Sequence, residues 1–205
     1  MPKEKSGIRK SPKGEATRHR ILATSALLFS EHGYNGVGME QIARAVDLTK
    51  PALYAHFKNK RQLYVDCIVQ THEEAFRHFV PPAKGMSAEQ RLEHYLSFML
   101  PLFSSNRALS RLALHIVLDR ADVMTDLKNA SPAFGEVIGF FSKTLEDLNP
   151  KHDPRVLLLF TFAITLLNEE LLEWMKLNKD MFPPSWKNKR WEDSQSVLAA
   201  MLKLL

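Results

Sequence analysis

The stretch from Gly33 to Lys60, GYNGVGMEQIARAVDLTKPALYAHFKNK, constrains the fold of this 205-residue chain more than any other. Its first half carries four apolar residues at the i, i+3, i+4, i+7 spacing of a helix that buries one face. These residues are Met39, Ile42, Ala43 and Val46. A four-residue turn and a second short helix follow. Two short helices joined by such a turn form a helix-turn-helix, a unit that places its second helix in the major groove of DNA.

Residues with special backbone preferences mark the ends of these helices. Gly33 follows a long periodic segment, where glycine ends a helix at low steric cost. Gly38 is an acceptable N-cap for the next helix. Asp47 can adopt the left-handed conformation that a tight turn needs, although glycine would do so with less strain. Thr49 is a favoured N-cap, and Pro51 falls in a first turn, where a missing N–H costs nothing. The second helix is therefore predicted to begin directly after Thr49.

The second helix has two different faces. Leu53 and Phe57 lie on its inner face, as helical spacing requires. The residues left on the outer face are Lys50, Ala52, Ala55 and His56. An outer face so small and polar suits a DNA groove better than a protein core, and it therefore favours DNA binding by this helix.

The segment IARAVDLTKPALYAHFKNKRQLY resembles the signature of the TetR family of transcriptional regulators. The matching positions are Ile42, Ala43, Thr49, Leu53, Tyr54, His56, Phe57, Lys60 and Leu63. The resemblance covers about residues 16–64 and departs from the family pattern at two positions. Asp47 stands where the family usually has glycine, and Gly38 stands where it often has a threonine or serine that caps the helix and touches a phosphate.

The outer face and the resemblance together predict the residues that bind DNA. They are Gly38, Met39, Arg44, Thr49, Lys50, Pro51, Ala52, Tyr54, His56 and Lys60. Lys50 and His56, with the alanine between them, are expected to face base edges or nearby phosphates. Thr49, Tyr54 and Lys60 are expected to bind phosphates and fix the register on the duplex. At Gly38, backbone N–H groups can bind phosphate in place of a side-chain hydroxyl.

Charge is unevenly distributed along the chain. Residues 1–62 hold 12 Lys/Arg and 5 Asp/Glu, a net charge of +7, whereas residues 63–205 hold 16 and 18, a net charge of −2. A basic N-terminal third on a mildly acidic body is typical of a nucleic-acid-binding protein. A solvated basic face would be the simplest alternative if the helix-turn-helix were absent.

Composition and periodicity predict three parts in an all-α chain: a disordered basic arm (1–14), a helix-turn-helix DNA-binding domain (15–64) and a helical ligand-binding and dimerisation domain (65–205). The arm is either a solubilising tail or a segment that follows phosphates or enters the minor groove. Thr17, Arg18 and Arg20 lie near the start of the first helix, so that end could approach a phosphate, as the resemblance also implies.

N-cap residues and prolines set the expected helix bounds. The predicted helices are Glu15–His32, Met39–Val46, a second helix-turn-helix helix after Thr49, Lys60 to about Val80, Ala88 to about Ser104, a helix capped by Asn106 to about Arg120, Asp122–Asn129, Pro132–Leu148, one from Asp153-Pro154 to about Leu177, and one from about Trp191 onward. No strand pattern, repeat or glycine-rich phosphate loop is found in the sequence.

The two C-terminal helices are the predicted dimer surface. Residues 156–177 are apolar around much of the helix circumference, so this helix must be buried on more than one side. A second subunit would cover one side and allow two reading helices to reach half-sites of a palindromic operator. The resemblance adds a four-helix dimer bundle built from these helices. A thick monomeric core is the alternative.

Polar residues within apolar helices indicate a ligand pocket in the C-terminal domain. The candidate lining residues are His94, Phe98, Arg111, His115, Asn168 and Glu169. Pockets are mostly apolar with a few converging polar groups, a description that fits this set. The alternative for each residue is an ordinary surface position or a buried polar group with its hydrogen bonds satisfied.

Other classes of site are not indicated. His72 and His78 are spaced i, i+6, unlike the i, i+4 histidines of a zinc-protease helix, so no metal site or cofactor is predicted. No catalytic array stands out, and an enzyme is not expected. Cys67 is interpreted as a small buried hydrophobe, with a redox switch as the alternative. The longest apolar run, 156–167, is too short to span a membrane, and no signal peptide is indicated.

These features predict a cytoplasmic, nucleoid-associated DNA-binding regulator that acts as a homodimer. The resemblance implies a repressor that an unknown small apolar or amphipathic molecule releases from its operator. The alternative is a ligand-independent structural DNA-binding protein whose helical body recruits a protein partner.

Overall fold

The computed structural model describes residues 12–118 and 123–148, together with the isolated positions 163, 174, 177–178 and 181. Within these residues the chain forms eight helices and no strand, which confirms the all-α prediction. The helices are α1 (Pro12–Gly36), α2 (Met39–Ala45), α3 (Lys50–His56), α4 (Lys60–Phe76), α5 (Ala88–Ser105), α6 (Arg107–Leu118), α7 (Met124–Ala130) and α8 (Pro132–Leu148). None of the described helices is long and apolar enough to cross a membrane.

Helix α1 extends beyond its predicted bounds at both ends. It begins at Pro12, three residues early, because proline is well suited to a first helical turn. Residues 12–14 of the predicted arm are thus helical, and residues 1–11 lie outside the described part. Gly33 interrupts the helix with φ 69° and ψ 175°, a conformation that favours glycine, and a further turn runs to Gly36. The predicted break after His32 is therefore present, followed by one unexpected turn.

The connecting helix α4 is shorter than predicted. Asn59 caps it, since its Oδ1 accepts the Gln62 N–H at 2.8 Å. The helix ends at Phe76, whereas the sequence predicted an end near Val80, just before Pro81-Pro82. The Phe79 N–H donates to the Phe76 carbonyl at 2.9 Å, so a tight turn replaces the last α-helical turns. Pro81-Pro82 sets the last point at which α4 could end, but the helix can end before it.

Helices α5 and α6 begin at the predicted caps. The Ser87 Oγ accepts the Gln90 N–H at 3.3 Å, and the Asn106 Oδ1 accepts the Leu109 N–H at 3.0 Å. Helix α7 is shifted to Met124–Ala130, whereas α8 has the predicted bounds. Helix α6 is described as far as Leu118, and the helices predicted over 153–177 and from 191 lie outside the described residues.

The larger of two buried clusters, here called the head cluster, joins the helix-turn-helix to the rest of the protein. Its members from α1 to α4 include Ile21, Phe29, Ile42, Leu53, Phe57, Leu63 and Tyr64. The Tyr64 ring meets the edge of Phe29 with centroids 4.9 Å apart. Leu112 of α6, with Val123 and Leu127 beside and within α7, completes the same cluster. The core of the helix-turn-helix unit is therefore shared with two helices of the C-terminal part.

A second buried cluster, the body cluster, lies between α5, α6 and α8. Its members include Phe76, Leu92, Tyr95, Met99, Phe103, Leu109, Phe141 and Leu145. The Tyr95 and Phe141 rings are stacked with centroids 4.1 Å apart. The Arg91 Nη2 also bonds the Asp147 carboxylate at 2.6 Å and so ties α5 to α8.

Leu127→Ala tests whether the body contributes to the head cluster. Leu127 is 1% exposed within that cluster, so its truncation should lower the free energy of unfolding by about 2–5 kcal/mol. Leu27→Ala, at a position 57% exposed on α1, is the matched control and should change it by less than about 0.5 kcal/mol. Urea unfolding followed by far-UV circular dichroism at one fixed protein concentration gives both values. Equal losses for the two variants would contradict the shared core.

Candidate nucleic-acid interface

The N-terminus of α2 is open to solvent at its backbone but not at its first side chain. Gly38 is exposed and extended, and its N–H donates to the Gln41 Oε1 at 3.5 Å. The Met39 side chain is only 8% exposed because it packs in the head cluster. Any contact that Met39 makes with DNA must therefore come from its backbone. Arg44, in the last turn of α2, is exposed.

The turn between α2 and α3 has the predicted strained residue. Asp47 has φ 53°, and within the described residues it alone among non-glycine residues has a positive φ. The Asp47 N–H donates to the Arg44 carbonyl at 3.2 Å, and the Leu48 N–H donates to the Ala43 carbonyl at 2.9 Å. These bonds close α2 and redirect the chain into α3 within four residues.

Helix α3 presents the predicted faces. The Thr49 Oγ1 accepts the Ala52 N–H at 3.3 Å and so caps the helix, as the sequence indicated. Leu53 and Phe57 are buried at 0% and 1% exposure. On the opposite side Lys50, Pro51, Tyr54 and Ala55 are exposed, and Ala52 and His56 are half-buried. The Tyr54 side chain is 44% exposed on this face.

Lys60 lies at the start of α4, where a cation opposes the helix dipole. Its Nζ lies 4.3 Å from the centre of the Tyr34 ring, so a cation–π contact holds it there. The neighbouring Arg61 forms an ion pair with Asp126 of α7 at 2.8 Å. This pair links the first turn of α4 to the C-terminal part, and no spacing in the sequence indicates it.

Arg18 makes three contacts that sequence reasoning missed. Its Nη1 donates to the His56 carbonyl at 3.1 Å, and its Nη2 bonds the Asp66 carboxylate. Its Cζ lies 4.2 Å from the centre of the Phe57 ring. The sequence interpretation placed this end of α1 near a phosphate, but the Arg18 guanidinium is bound to the end of α3 and to α4. Arg20, two residues on, is exposed.

Comparison with known proteins identifies this unit. Residues 21–67 match the family model described as "Bacterial regulatory proteins, tetR family". The helix-turn-helix segment belongs to the TetR family. The HTH-type transcriptional regulator UidR of Escherichia coli K12 is 30% identical over 86 residues, which cover 42% of this chain and 40% of UidR. The chain thus spans less than half the length of this relative at recognisable sequence similarity.

Two solved structures extend the likeness to the fold of nearly the whole chain. HlyIIR, a hemolysin II transcriptional regulator, has a TM-score of 0.63 at 16% identity, over 92% of this chain and 98% of its own. AibR in complex with isovaleryl coenzyme A and operator DNA has a TM-score of 0.57 at 21% identity, over 92% and 97%. At these identities the likeness shows the fold alone: a TetR-type helix-turn-helix followed by a helical C-terminal part.

The predicted ligand-binding residues that the structure describes lie on two helices, α5 and α6. His94 and Phe98 of α5 border the body cluster, where the His94 Nε2 is 2.6 Å from the Val80 carbonyl oxygen and the Phe98 ring packs against Phe79. Arg111 and His115 lie on α6, whose buried Leu112 belongs to the head cluster. Helix α6 borders both clusters, since its Leu109 belongs to the body cluster and its Leu112 to the head cluster, so a shared ligand site for these four residues stays a prediction. Asn168 and Glu169 lie outside the described residues.

Two titratable groups in α4 have shifted pKa values: Cys67 is buried and His72 is half-buried. The Cys67 thiol donates to the Leu22 carbonyl at 3.4 Å, and burial raises the pKa of this thiol. A buried, protonated thiol fits the interpretation of Cys67 as a small hydrophobe. Burial lowers the pKa of His72 to about 4, and its ring stacks on Phe76 at 4.1 Å. Among the described residues, no group of three or more His, Cys, Asp or Glu side chains could hold a metal ion.

Asp47→Gly and Asp47→Ala test the strain in the turn. At φ 53° the alanine Cβ is sterically strained, and alanine lacks the local hydrogen bonding by which aspartate offsets this strain. Asp47→Ala should therefore lower the free energy of unfolding by about 1 kcal/mol. Asp47→Gly removes the Cβ and should leave stability equal to the native value or above it. Thermal melts of the three proteins measure the order. A glycine variant less stable than the alanine variant would contradict the assignment of strain.

Proposed function

We propose that this chain is a sequence-specific DNA-binding transcriptional regulator that binds a palindromic operator as a homodimer. One observation carries the proposal: α3 buries Leu53 and Phe57 and leaves Lys50, Pro51, Tyr54 and Ala55 open to solvent on the opposite face. An α-helix fits the major groove of B-DNA, which is about 12 Å wide. The TetR-type identity of residues 21–67 supports the same function.

The proposed contacts with DNA are of two kinds. Lys50, Ala52 and His56 lie where α3 would face base edges or nearby phosphates, so they would carry sequence preference. Thr49 and Tyr54 flank this face, and their hydroxyl groups would bind phosphates. The remaining proposed ligands lie around it at the ends of α2, α3 and α4: Gly38, Met39 through its backbone, Arg44, Pro51 and Lys60. These contacts would fix the register of α3 on the duplex.

A single α3 offers too few base contacts for a unique site, so two copies are proposed to bind two half-sites about 34–36 Å apart. The helices predicted over 153–177 and from 191 are the proposed dimer surface. The proposal follows the sequence pattern and the family resemblance.

Lys50→Ala and Tyr54→Phe test the assignment of α3. The probe is the DNA upstream of the protein's own coding region, titrated at several salt concentrations. Each variant should weaken operator binding by about 10-fold, since a base or phosphate contact is worth about 1–3 kcal/mol. Lys84→Ala removes the same charge from an exposed position between α4 and α5 and should bind as the native protein does.

The wild-type protein should show a steep salt dependence and a preference for one sequence. Native affinity in both α3 variants would overturn the residue assignment. Failure of the wild-type protein to prefer any upstream sequence would overturn the proposed function itself.

We further propose that the protein is a repressor that a small apolar or amphipathic molecule releases from DNA. Support comes from the physical continuity between the two parts of the chain. Leu112 and Leu127 lie in the same core as Leu53, and Asp126 pairs with Arg61. A ligand that prefers a different arrangement of α6 and α7 would thereby change the position of α3 and α4. Its effect is bounded by its difference in affinity for the two arrangements.

Fractions of small molecules from a bacterial cell extract test this release. One fraction should lower operator affinity by about 5–150-fold, the range of typical allosteric coupling. Phe98→Ala should weaken that response while the protein still binds the operator, because Phe98 lies more than 30 residues from the helix-turn-helix in sequence and borders the body cluster. Leu27→Ala, an exposed apolar truncation, is the control. Operator binding that no fraction changes would favour a ligand-independent protein that recruits a partner.

A further inference from the structure

The inference concerns Arg18 and rests on the proposed DNA-binding function. Arg18 lies two turns into α1, yet its contacts are with residues 38 and 48 positions away in sequence. Its guanidinium donates to the His56 carbonyl, bonds the Asp66 carboxylate and lies over the Phe57 ring. One side chain thus joins α1, the C-terminal end of α3 and α4.

The contact with His56 places the positive charge of Arg18 at the C-terminal end of α3. The last carbonyl groups of a helix lack intrahelical partners and carry partial negative charge. His56 is the last residue of α3, and its carbonyl accepts from Arg18 at 3.1 Å. Thr49 caps the other end of the same helix. Helix α3 is therefore fixed at both ends by side chains outside it.

Asp66 and Phe57 hold the guanidinium in place. The side chains of Arg18 and Asp66 are each 24% exposed, so water screens this pair less than a pair on the open surface. Phe57, at the C-cap of α3, supplies a ring face 4.2 Å below the Arg18 Cζ. Both terminal nitrogens of Arg18 donate to protein acceptors, so two of its five N–H groups and its ring contact hold the guanidinium against α3 and α4.

A small tilt of α3 is enough to break hydrogen bonds to base edges. Seven residues make a helix about 10 Å long, so a tilt of about 10° moves one end by about 2 Å relative to the other. A hydrogen bond to a base edge tolerates only about 0.5 Å of variation in distance. The residue that fixes one end of α3 thus affects sequence preference even when it touches no DNA.

We propose that Arg18 is a positioning residue for DNA recognition. It fixes the angle of α3 through His56, Phe57 and Asp66, and it does not bind a DNA phosphate. This role differs from the phosphate approach that the sequence suggested for the start of α1.

Arg18→Met and Arg18→Lys test the role, with Arg20→Met as the matched control. The methionine variant removes the charge and the planar guanidinium, and the lysine variant keeps the charge but loses the planar set of N–H donors. Arg20→Met removes an exposed charge two residues away, and a phosphate contact at Arg20 would show as an equal loss on both duplexes with a lower salt slope, the pattern not expected of Arg18. Affinity is measured for the upstream operator and for a scrambled duplex, each over a series of salt concentrations, at a temperature where melts show every protein folded.

Both Arg18 variants should bind the operator about 10-fold more weakly and the scrambled duplex within about 2-fold of the native protein, because base contacts supply the difference. The slope of log affinity against log salt should stay at the native value. Loss of one phosphate contact would instead lower that slope by about 0.9 and weaken both duplexes alike. That result, or native operator affinity in both variants, would overturn the positioning role.

Amide hydrogen exchange tests the same role without DNA. Residues 53–57 should exchange faster in Arg18→Lys than in Arg20→Met, because the C-terminal end of α3 is released. Equal exchange in the two variants would overturn the proposal. If the wild-type protein bound no DNA selectively, the proposed function would fail while the exchange experiment still decided whether Arg18 fixes α3.

Discussion

The burial of Leu53 and Phe57 in the head cluster is the interaction on which the rest of the structure depends. A seven-residue helix does not form by itself in water, because the unfavourable free energy of nucleation exceeds the free energy gained from so few hydrogen bonds. Helix α3 exists because its inner face completes a core made by α1, α2 and α4. Its outer face is free to be small and polar only because the inner face supplies this stabilisation. Folding and the proposed recognition of DNA thus use opposite sides of the same short helix.

The two ends of α3 are fixed by different means. At the N-terminal end, local features are sufficient: Asp47 takes a left-handed conformation and Thr49 caps the first turn. At the C-terminal end, the chain leaves in an extended conformation at Phe57, and the stabilising group comes from Arg18 of α1. A mutation in α1 can therefore alter α3 without touching the helix-turn-helix sequence.

The difference between local and distant determinants also explains what the sequence could predict. The caps at Thr49, Asn59 and Ser87 are confirmed because each depends on a hydrogen bond across three residues. The positive φ at Asp47 and the faces of α3 depend on equally short spacings. The contacts of Arg18 and the pair Arg61–Asp126 join residues 38 to 65 positions apart, so no periodicity reveals them.

Contacts between distant residues also limit how well the sequence predicts the boundary between the helix-turn-helix part and the C-terminal part. A boundary after residue 64 follows from the resemblance and from the change in charge, but the head cluster also draws on α6 and α7. The end of α4 at Phe76 was missed because a proline pair marks a latest possible stop. The predicted ligand residues on α5 and α6 share an apolar setting in the sequence, and whether they form one site remains a prediction, since α6 contributes to both clusters.

The sharing of the head cluster has a consequence for protein engineering. A chimera that joins the first 67 residues of this chain to the C-terminal part of a relative would follow the limit of the family match. Such a junction would separate Leu53 and Tyr64 from Leu112, Val123 and Leu127. The foreign part would have to present apolar side chains of matching shape at three places. A transplant that carries α6 and α7 with the first four helices keeps that complementary surface intact, and it is the natural unit for exchanging the proposed DNA specificity between related chains.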